Sequence, residues 1–431
     1  MKKRQITLTS QQMEAVNMVK NNRLSILSGG PGTGKTTTIL EIINWAEQSN
    51  MTVLQAAPTG KAAKRMQEST GRAATTIHAM LGSQFDNGQF YFNHNADNPL
   101  QADLVILDET SMITASLMAS VLDAVEKTRL LLVGDPYQLP SVGAGAVLRD
   151  FLQSELFPYI ELSIIHRNSG RIVEVCHAIK NGQSYFPDAH LDLDAENPIN
   201  LIHIECSSEE DILDTVEKTM CEKMPSLGYD PVDQVLAISP VNAKGKLSCL
   251  SLNRKLQNRL NPAHHKEAES ADNSEKRIEF RAGDKVIQTR NEKVITTEKK
   301  PSYIVNGDIG KVVEVNGKDM TVDFFDPKRQ VRLSTTNNDL LHAYAITCHR
   351  AQGSEAPVVI VPVHRQFNYF LSNSWLYTAL SRGREIVITI GNFAAIQKAI
   401  QNKSPNNRIT RLKQRFIEYD RKMIEAEFAN I

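Results

Sequence analysis

The chain has 431 residues, 41% hydrophobic and 23% charged, ordinary proportions for a soluble globular protein with room for several domains. Lys plus Arg and Asp plus Glu both number 49, so the net charge is zero; this excludes a histone-like polyanion binder and leaves nucleic acid to a local groove or to backbone amides. The opening MKKRQITLTS lacks the apolar core of a secretory signal, and no run suits a membrane span. The cysteines (Cys176, Cys206, Cys221, Cys249, Cys348) form no Cys-x-x-Cys pair, which fits a reducing, cytoplasmic compartment.

In chain order, LTSQQMEAV opens a helical pattern with Gln12 near its start, and RLSILSG reads as a buried strand. GGPGTGKTT (29 to 37) follows that strand and precedes the helical TTTILEIINWAEQS, the context that makes a glycine-rich run a P-loop. Gly29, Gly30, Pro31, Gly32, Thr33 and Gly34 let successive backbone N–H groups face phosphates. Lys35 reaches the outer phosphates, Thr36 is placed to ligate Mg²⁺, and Thr37 closes the nucleotide-binding run. TVLQAAP reads as a second strand. FDNGQFYF (85 to 92) reads as a hairpin, because Asn87-Gly88 suits a type I′ turn and a two-residue loop sets Phe85 opposite Phe90.

ADLVILDE ends a buried strand on Asp108 and Glu109, where a Walker B pair belongs: Asp108 to hold Mg²⁺ through water, Glu109 to orient the attacking water. TRLLLVGD is a further strand. Strands separated by helical segments predict a parallel sheet with crossover helices, and QVLAISP, APVVIVPV and EIVITIG repeat the pattern later, giving two α/β domains. Residues 262 to 277 read as an exposed polar loop. The short alternating strands from 278 to about 340 read as a small β-barrel inserted into the second domain.

APTGKAAKRM, TTIHAML, LVGDPYQLPSVGAG, IIHRNSGRIV, AITCHRAQGSE and LYTALSRGRE, taken in this order with the P-loop and the acidic pair, resemble the successive motifs of superfamily 1 helicases and most closely the RecD-like branch. The resemblance covers nearly the whole chain. It implies two RecA-like P-loop domains with a β-hairpin pin and an inserted SH3-like barrel: residues 1–81 and 104–163 as the first motor domain, 82–103 as the pin, 164–282 and 342–431 as the second motor domain, and 283–341 as the barrel.

Roles follow from the same resemblance. Gln12 matches the adenine-reading glutamine, although a helix-start residue facing solvent explains it equally well. Gln138 matches the sensor of the terminal phosphate, with a polar turn residue as the alternative. Arg167 and Arg382 match the two arginines that close on the γ-phosphate, a finger worth about 10³ to 10⁵ in rate in related phosphoryl transfer. Gly353 and Glu355 match motif positions near the nucleotide. Pro58, Thr59, Lys61, Thr76, His78, Thr347 and His349 match positions lining a single-strand groove, where each could instead cap or pack. Phe90 stands on the pin, on which a duplex would split; packing of the hairpin's aromatic residues against their own domain is the alternative.

The activity implied is ATP- and Mg²⁺-dependent DNA unwinding in the 5′ to 3′ direction, with a single-strand-stimulated translocase, a slow nucleotide switch and an RNA substrate as alternatives. The partners implied are single-stranded DNA and single-strand/duplex junctions, together with replication or recombination proteins such as a single-strand-binding protein. The implied working form is a monomer. The Gln12 motif begins almost at once, where cellular RecD-like proteins often carry a long N-terminal extension, so docking of the RecBCD kind is not expected.

Overall fold

Four apolar residues in a row, as in Leu104–Leu107, suit a strand covered on both faces. The computed structural model, which describes residues 8–86, 89–164, 170–195, 197–263, 279–325, 328–403, 408 and 410–429, places such runs at the centre of two sheets. The chain divides into Met1–Asn168 with Lys403–Ile431 (unit 1) and Ser169–Asn402 (unit 2).

Unit 1 begins with α1 (Ser10–Asn21), β1 (Leu24–Gly29), α2 (Lys35–Gln48), β2 (Val53–Ala57), α3 (Gly60–Thr70), β3 (Thr75–Thr76) and the single turn α4 (Ile77–Met80). A hairpin of β4 (Ser83–Asp86) and β5 (Gln89–Phe92) follows, then β6 (Leu104–Leu107), α5 (Ala115–Ala124), β7 (Arg129–Gly134), α6 (Val147–Ser154) and β8 (Tyr159–Leu162). Outside the hairpin the strands form a parallel sheet in the order β3-β2-β6-β7-β1-β8.

Strand alternation sends Leu131 and Val133 to one face and Leu130 and Leu132 to the other. The first face is covered by α1 and α2, whose Ile39, Ile42, Ile43 and Ala46 recur at helical spacing and are buried. Each isoleucine so buried contributes about 1.5 to 3 kcal/mol. The second face is covered by α5 and α6, through Leu117, Met118, Val121, Leu148 and Phe151.

In the hairpin, Phe85 pairs with Phe90 and Asp86 with Gln89, the register a two-residue loop demands. Asn87 and Gly88 themselves lie outside the described residues.

Unit 2 runs through α7 (Gly170–Lys180), β9 (Leu201–Glu205) and α8 (Glu209–Lys218), which passes by a π turn into α9 (Met224–Ser226), then β10 (Val235–Ser239) and α10 (Cys249–Leu260). The polar loop expected at 262–277 falls largely outside the described residues. Next come β11 (Lys285–Gln288), β12 (Glu292–Ile295), β13 (Pro301–Ile304), β14 (Ile309–Asn316), β15 (Asp319–Phe325), β16 (Lys328–Ser334) and β17 (Leu340–His342). The α/β part resumes with β18 (Ala345–Thr347), α11 (Cys348–Ala351), β19 (Ala356–Val363), α12 (Asn373–Leu380), β20 (Gly383–Gly391) and α13 (Phe393–Gln401).

The second parallel sheet has the order β18-β10-β19-β20-β9. The inserted segment is a five-stranded antiparallel sheet, β16-β15-β14-β11-β17, around Val286, Val312, Met320, Val322, Phe324 and Val331. Its β12–β13 hairpin joins it through a bridge from Thr296 to Val331.

Asp284, fully buried at the foot of this insertion, ties it to α10. Its carboxylate accepts from Gln257 Nε2 (2.7 Å), Asn261 Nδ2 (2.8 Å), Arg281 N (2.7 Å), His342 Nε2 (3.1 Å) and Tyr344 OH (3.0 Å). Burial opposes its ionisation, but His342 and the other donors outweigh burial and hold the carboxyl below its ordinary value.

The C-terminal residues correct one domain expectation. Residues 342–431 read as second motor domain, but the chain returns to unit 1 after Asn402. There α14 (Leu412–Ala429) sets Phe416 edge-on against Phe151 and Phe157, with ring centroids 4.8 and 5.3 Å apart. The physical reason is the apolar end of the α5–α6 face, where Leu412 and Phe416 pack against the core.

Candidate nucleoside triphosphate site

Because the sheet of unit 1 is parallel, the carboxyl ends of β6, β7 and β1 open on one edge, the place where open α/β sheets bind ligands. β1 delivers the glycine-rich turn. Gly32 and Gly34 have φ of 75° and 87°, which glycine adopts without a Cβ clash. At Gly29 a Cβ would stand 2.6 Å from Thr33 Oγ1, so the cradle closes only around glycine there. Thr33 donates to the Gly30 carbonyl at 2.8 Å and Thr38 to that of Gly34 at 3.0 Å. The Lys35 ammonium spans the mouth of the loop, donating to the carbonyls of Gly29 (2.6 Å) and Gly30 (3.0 Å). Thr36 is exposed, and Thr37 half-buried, in the first turn of α2.

β6 delivers Asp108 and Glu109. Burial, then the neighbouring Glu109 carboxylate, push Asp108 up to about 6, while Lys35 and Arg65 draw it the other way. The Asp108 carboxylate accepts from the Glu109 amide at 2.8 Å. Glu109 itself adopts φ 52° and ψ 40°, the left-handed region, rare for a residue with a Cβ. The turn is held by Met112 N on the Glu109 carbonyl and by the buried Thr110 hydroxyl on the Val133 carbonyl at 2.8 Å.

β7, lying between the other two strands, delivers Asp135 and Gln138, both buried. The Asp135 carboxylate accepts from Tyr137 N at 3.0 Å and from Gln138 Nε2 at 3.5 Å. Gln138 Oε1 is buried with no hydrogen-bond partner among the described residues, an orphan acceptor of the kind that marks a functional group. Asp135, like Asp108, is an acid ending an apolar run, a signal that motif matching alone passes over.

Gln12 lies at the third position of α1, where its Oε1 accepts from Thr9 N in a capping box. Its Nε2 reaches the Gly34 carbonyl at 3.5 Å, so the helix start leans on the phosphate loop.

Thr59 and Thr76 cap helices, their hydroxyls accepting from Ala62 N at 3.2 Å and Ala79 N at 3.1 Å. Pro58 and Lys61 flank the first cap and are half-buried. Exposed His78 packs against Phe92 of the hairpin, with ring centroids 5.8 Å apart. Phe90 is described only by its backbone pairing.

In unit 2, Arg382 is 3% exposed and donates to the Thr378 carbonyl (3.1 Å), the Ser354 carbonyl (3.3 Å) and Ser381 Oγ (3.2 Å). Gly353, at φ 69°, and half-buried Glu355 bracket Ser354 on the same loop. Thr347 caps the short α11 through its backbone position alone, and His349, the second residue of that helix, is exposed. Arg167 lies outside the described residues.

Three neighbouring strands thus carry a phosphate cradle, a metal-type carboxylate pair and a buried amide, and that arrangement makes unit 1 a P-loop nucleotide-binding domain. Residues 12–144 match the family model for an AAA domain, 252–324 that for an ATP-dependent RecD-like DNA helicase SH3 domain, and 342–390 that for a UvrD-like helicase C-terminal domain. The ATP-dependent RecD2 DNA helicase of Deinococcus radiodurans is 35% identical over 404 residues, covering 92% of this chain and 51% of that protein. The RecBCD enzyme subunit RecD of Mycolicibacterium smegmatis is 29% identical, covering 91% of this chain and 73% of that one. The chain spans about half the length of the first relative. Among solved structures, the Pif1 helicase from Bacteroides in complex with ADP-AlF3 and ssDNA shares the fold, with a TM-score of 0.50 at 20% identity over 97% of this chain and 98% of that one. In these matches the chain is similar to the RecD-like branch of the superfamily 1 helicases.

Proposed function

We propose that the chain is an ATP-dependent DNA helicase that translocates 5′ to 3′ on single strands and separates duplex ahead of it. The observation that carries this reading is the convergence of Lys35, the Asp108–Glu109 pair and the orphan Gln138 Oε1 at one sheet edge. The names of the RecD2 and RecD relatives support it.

On this reading the amides of residues 29 to 34 and the N-terminus of α2 bind the triphosphate. Lys35 exchanges its two loop carbonyls for phosphate oxygens. Thr36 and Asp108 are the hard-oxygen residues that would hold Mg²⁺, which when bound neutralises charge on the outer phosphates. The left-handed turn at Glu109 fixes the direction of its carboxylate, which accepts a proton from the attacking water. Gln138 Oε1 accepts a hydrogen bond from the other O–H of that water, and Gln12 reads the base.

Arg167 and Arg382, by their match to the family's arginines, supply positive charge to the outer phosphates. For Arg382 this requires exchange of carbonyl partners for phosphate oxygens. Pro58, Thr59, Lys61, Thr76, His78, Thr347 and His349 line the strand path, largely through backbone amides and hydroxyls, which suits a chain without net charge. The hairpin carrying Phe90 is the splitting wedge. A base stacked on an aromatic ring gains about 1 to 3 kcal/mol, comparable with the roughly 1.4 kcal/mol of stacking lost per duplex step.

The test is ATP-driven opening of two otherwise identical duplexes, one with a 5′ single-stranded tail and one with a 3′ tail. Opening of the 5′-tailed duplex alone is expected. Opening of the 3′-tailed duplex alone refutes the polarity, and stimulation of hydrolysis without opening of either makes the chain a translocase.

A further inference from the structure

The residues that follow unit 2 do more than cover an apolar face. Arg408, shortly beyond Asn402, belongs to unit 1, and its Nη1 donates to the carbonyls of Gly143 (2.8 Å) and Gly145 (3.0 Å). Its own carbonyl accepts from Arg149 Nη2 at 3.2 Å. Two positions on, the Thr410 hydroxyl donates to the carboxylate of Asp150, which is 4% exposed. Arg408 is therefore docked, with α6 supplying the anchors.

Gly143 and Gly145 belong to the loop that leaves β7 through Asp135 and Gln138. The rest of that loop is tightly confined. Ala115 N donates to the Ala144 carbonyl at 2.9 Å, and Ser141 Oγ to that of Gly143 at 3.1 Å. A Cβ on Gly143 would meet Thr114 Cγ2 at 2.7 Å, and one on Gly145, at φ 111°, would meet Ala115 N at 3.0 Å. The loop thus has no room to move toward α5, and the charged fork of Arg408 bridges its two glycine carbonyls. Hydrogen bonds from a charged donor are worth more than neutral ones, so this bridge is a strong constraint on a loop rich in glycine.

We infer that Arg408 is a positioning residue for Gln138: it sets the loop that presents the orphan amide oxygen, and it anchors the chain leaving unit 2 on that same loop. The inference rests on the reading of Gln138 Oε1 as the acceptor for the attacking water beside the terminal phosphate. Arg408 touches neither nucleotide nor reacting water; it acts through Gly143 and Gly145.

The experiment uses the whole chain with ATP and an oligothymidine strand, and compares Arg408→Ala, Arg408→Lys and Phe416→Ala. The readouts are kcat, KM for ATP, affinity for a fluorescent ATP analogue, and melting temperature. Arg408→Ala is expected to lower kcat about tenfold, the rate equivalent of one lost charge-assisted hydrogen bond, with analogue affinity within about twofold of the parent. Arg408→Lys recovers part of that loss, and so does guanidinium added to the alanine variant well below denaturing concentrations. Phe416→Ala, which loosens α14 without touching the loop, lowers the melting temperature and leaves kcat at parent level when assayed below the transition.

An unchanged kcat in Arg408→Ala, or a kcat loss that follows melting temperature alike in Arg408→Ala and Phe416→Ala, overturns the inference while the parent's hydrolysis keeps the ATPase reading. A parent chain that does not hydrolyse ATP overturns both.

Discussion

Glu109 offers a test in which strain and chemistry separate. Its φ of 52° and ψ of 40° place a residue with a Cβ in the left-handed region, at a cost of about 1 to 2 kcal/mol that glycine does not bear. Replacement by alanine removes the carboxylate and keeps the Cβ, whereas glycine removes both. Each variant relieves the like-charge repulsion on Asp108 equally, so that contribution cancels in the comparison. Against the gain stands the larger entropy of glycine in the unfolded chain, about 0.4 to 1 kcal/mol. The net expectation is that Glu109→Gly is more stable than Glu109→Ala by roughly 0.5 to 1 kcal/mol, or about 1 to 4 °C in melting temperature for a unit of this size. Calorimetric unfolding of the two variants without nucleotide measures it, and both variants lose hydrolysis. If the glycine variant melts below the alanine variant, as it would in an ordinary helix or strand, residue 109 is not held left-handed and the argument for a fixed carboxylate direction fails.

Other perturbations test separate parts of the molecule. Lys35→Ala removes the cation that bonds the Gly29 and Gly30 carbonyls in place of phosphate, so hydrolysis should vanish while the melting temperature moves little; parent-level turnover in that variant refutes the P-loop assignment. Arg382→Ala should keep nucleotide affinity and lose hydrolysis, and an unchanged rate removes it from the site. Asp284→Ala strands the donors of Gln257, Asn261 and Tyr344 and should cost about 3 kcal/mol or more in urea unfolding, with a loss below about 1 kcal/mol counting against the brace. Since the folded carboxyl of Asp284 titrates below its unfolded value of about 3.9, its contribution is complete above that pH and lost as pH falls through the folded value; the parent should therefore lose stability faster than Asp284→Asn on acidification from pH 5. Shortening the hairpin across residues 85–90 should spare strand-stimulated hydrolysis and abolish unwinding, and equal loss of both would make it structural.

The sequence discloses features whose physics is local. Apolar runs such as APVVIVPV become β19 residue for residue because a strand buried on both faces leaves no polar position in its pattern. The glycine cradle is legible because positive φ and close approach restrict residue choice. What depends on a distant partner is not. Nothing in the pattern of residues 412–429 says that Phe151 and Phe157 receive Phe416, so reading 342–431 as one motor domain misses the return of the chain to unit 1. The carbonyls that Arg382 and Arg408 occupy are likewise invisible, since every residue carries the same backbone acceptor. Thr59 and Thr76 stand between these cases: their helix-capping hydroxyls are readable locally, and capping leaves one lone pair of each for another donor.

The return of α14 to unit 1 bears on how a ribosome makes this protein. Unit 2 is an insertion of about 230 residues between two stretches of unit 1. At roughly 5 to 20 residues per second, its synthesis separates them by about 10 to 50 s. Throughout that interval Phe151 and Phe157 lack the ring of Phe416 that packs against them, while the residues of unit 2 emerge in one unbroken run and are free to fold. The nucleotide-binding unit is begun before unit 2 and completed only after it, and a nascent chain stalled near residue 402 leaves that unit with an uncovered aromatic face for chaperones to shield.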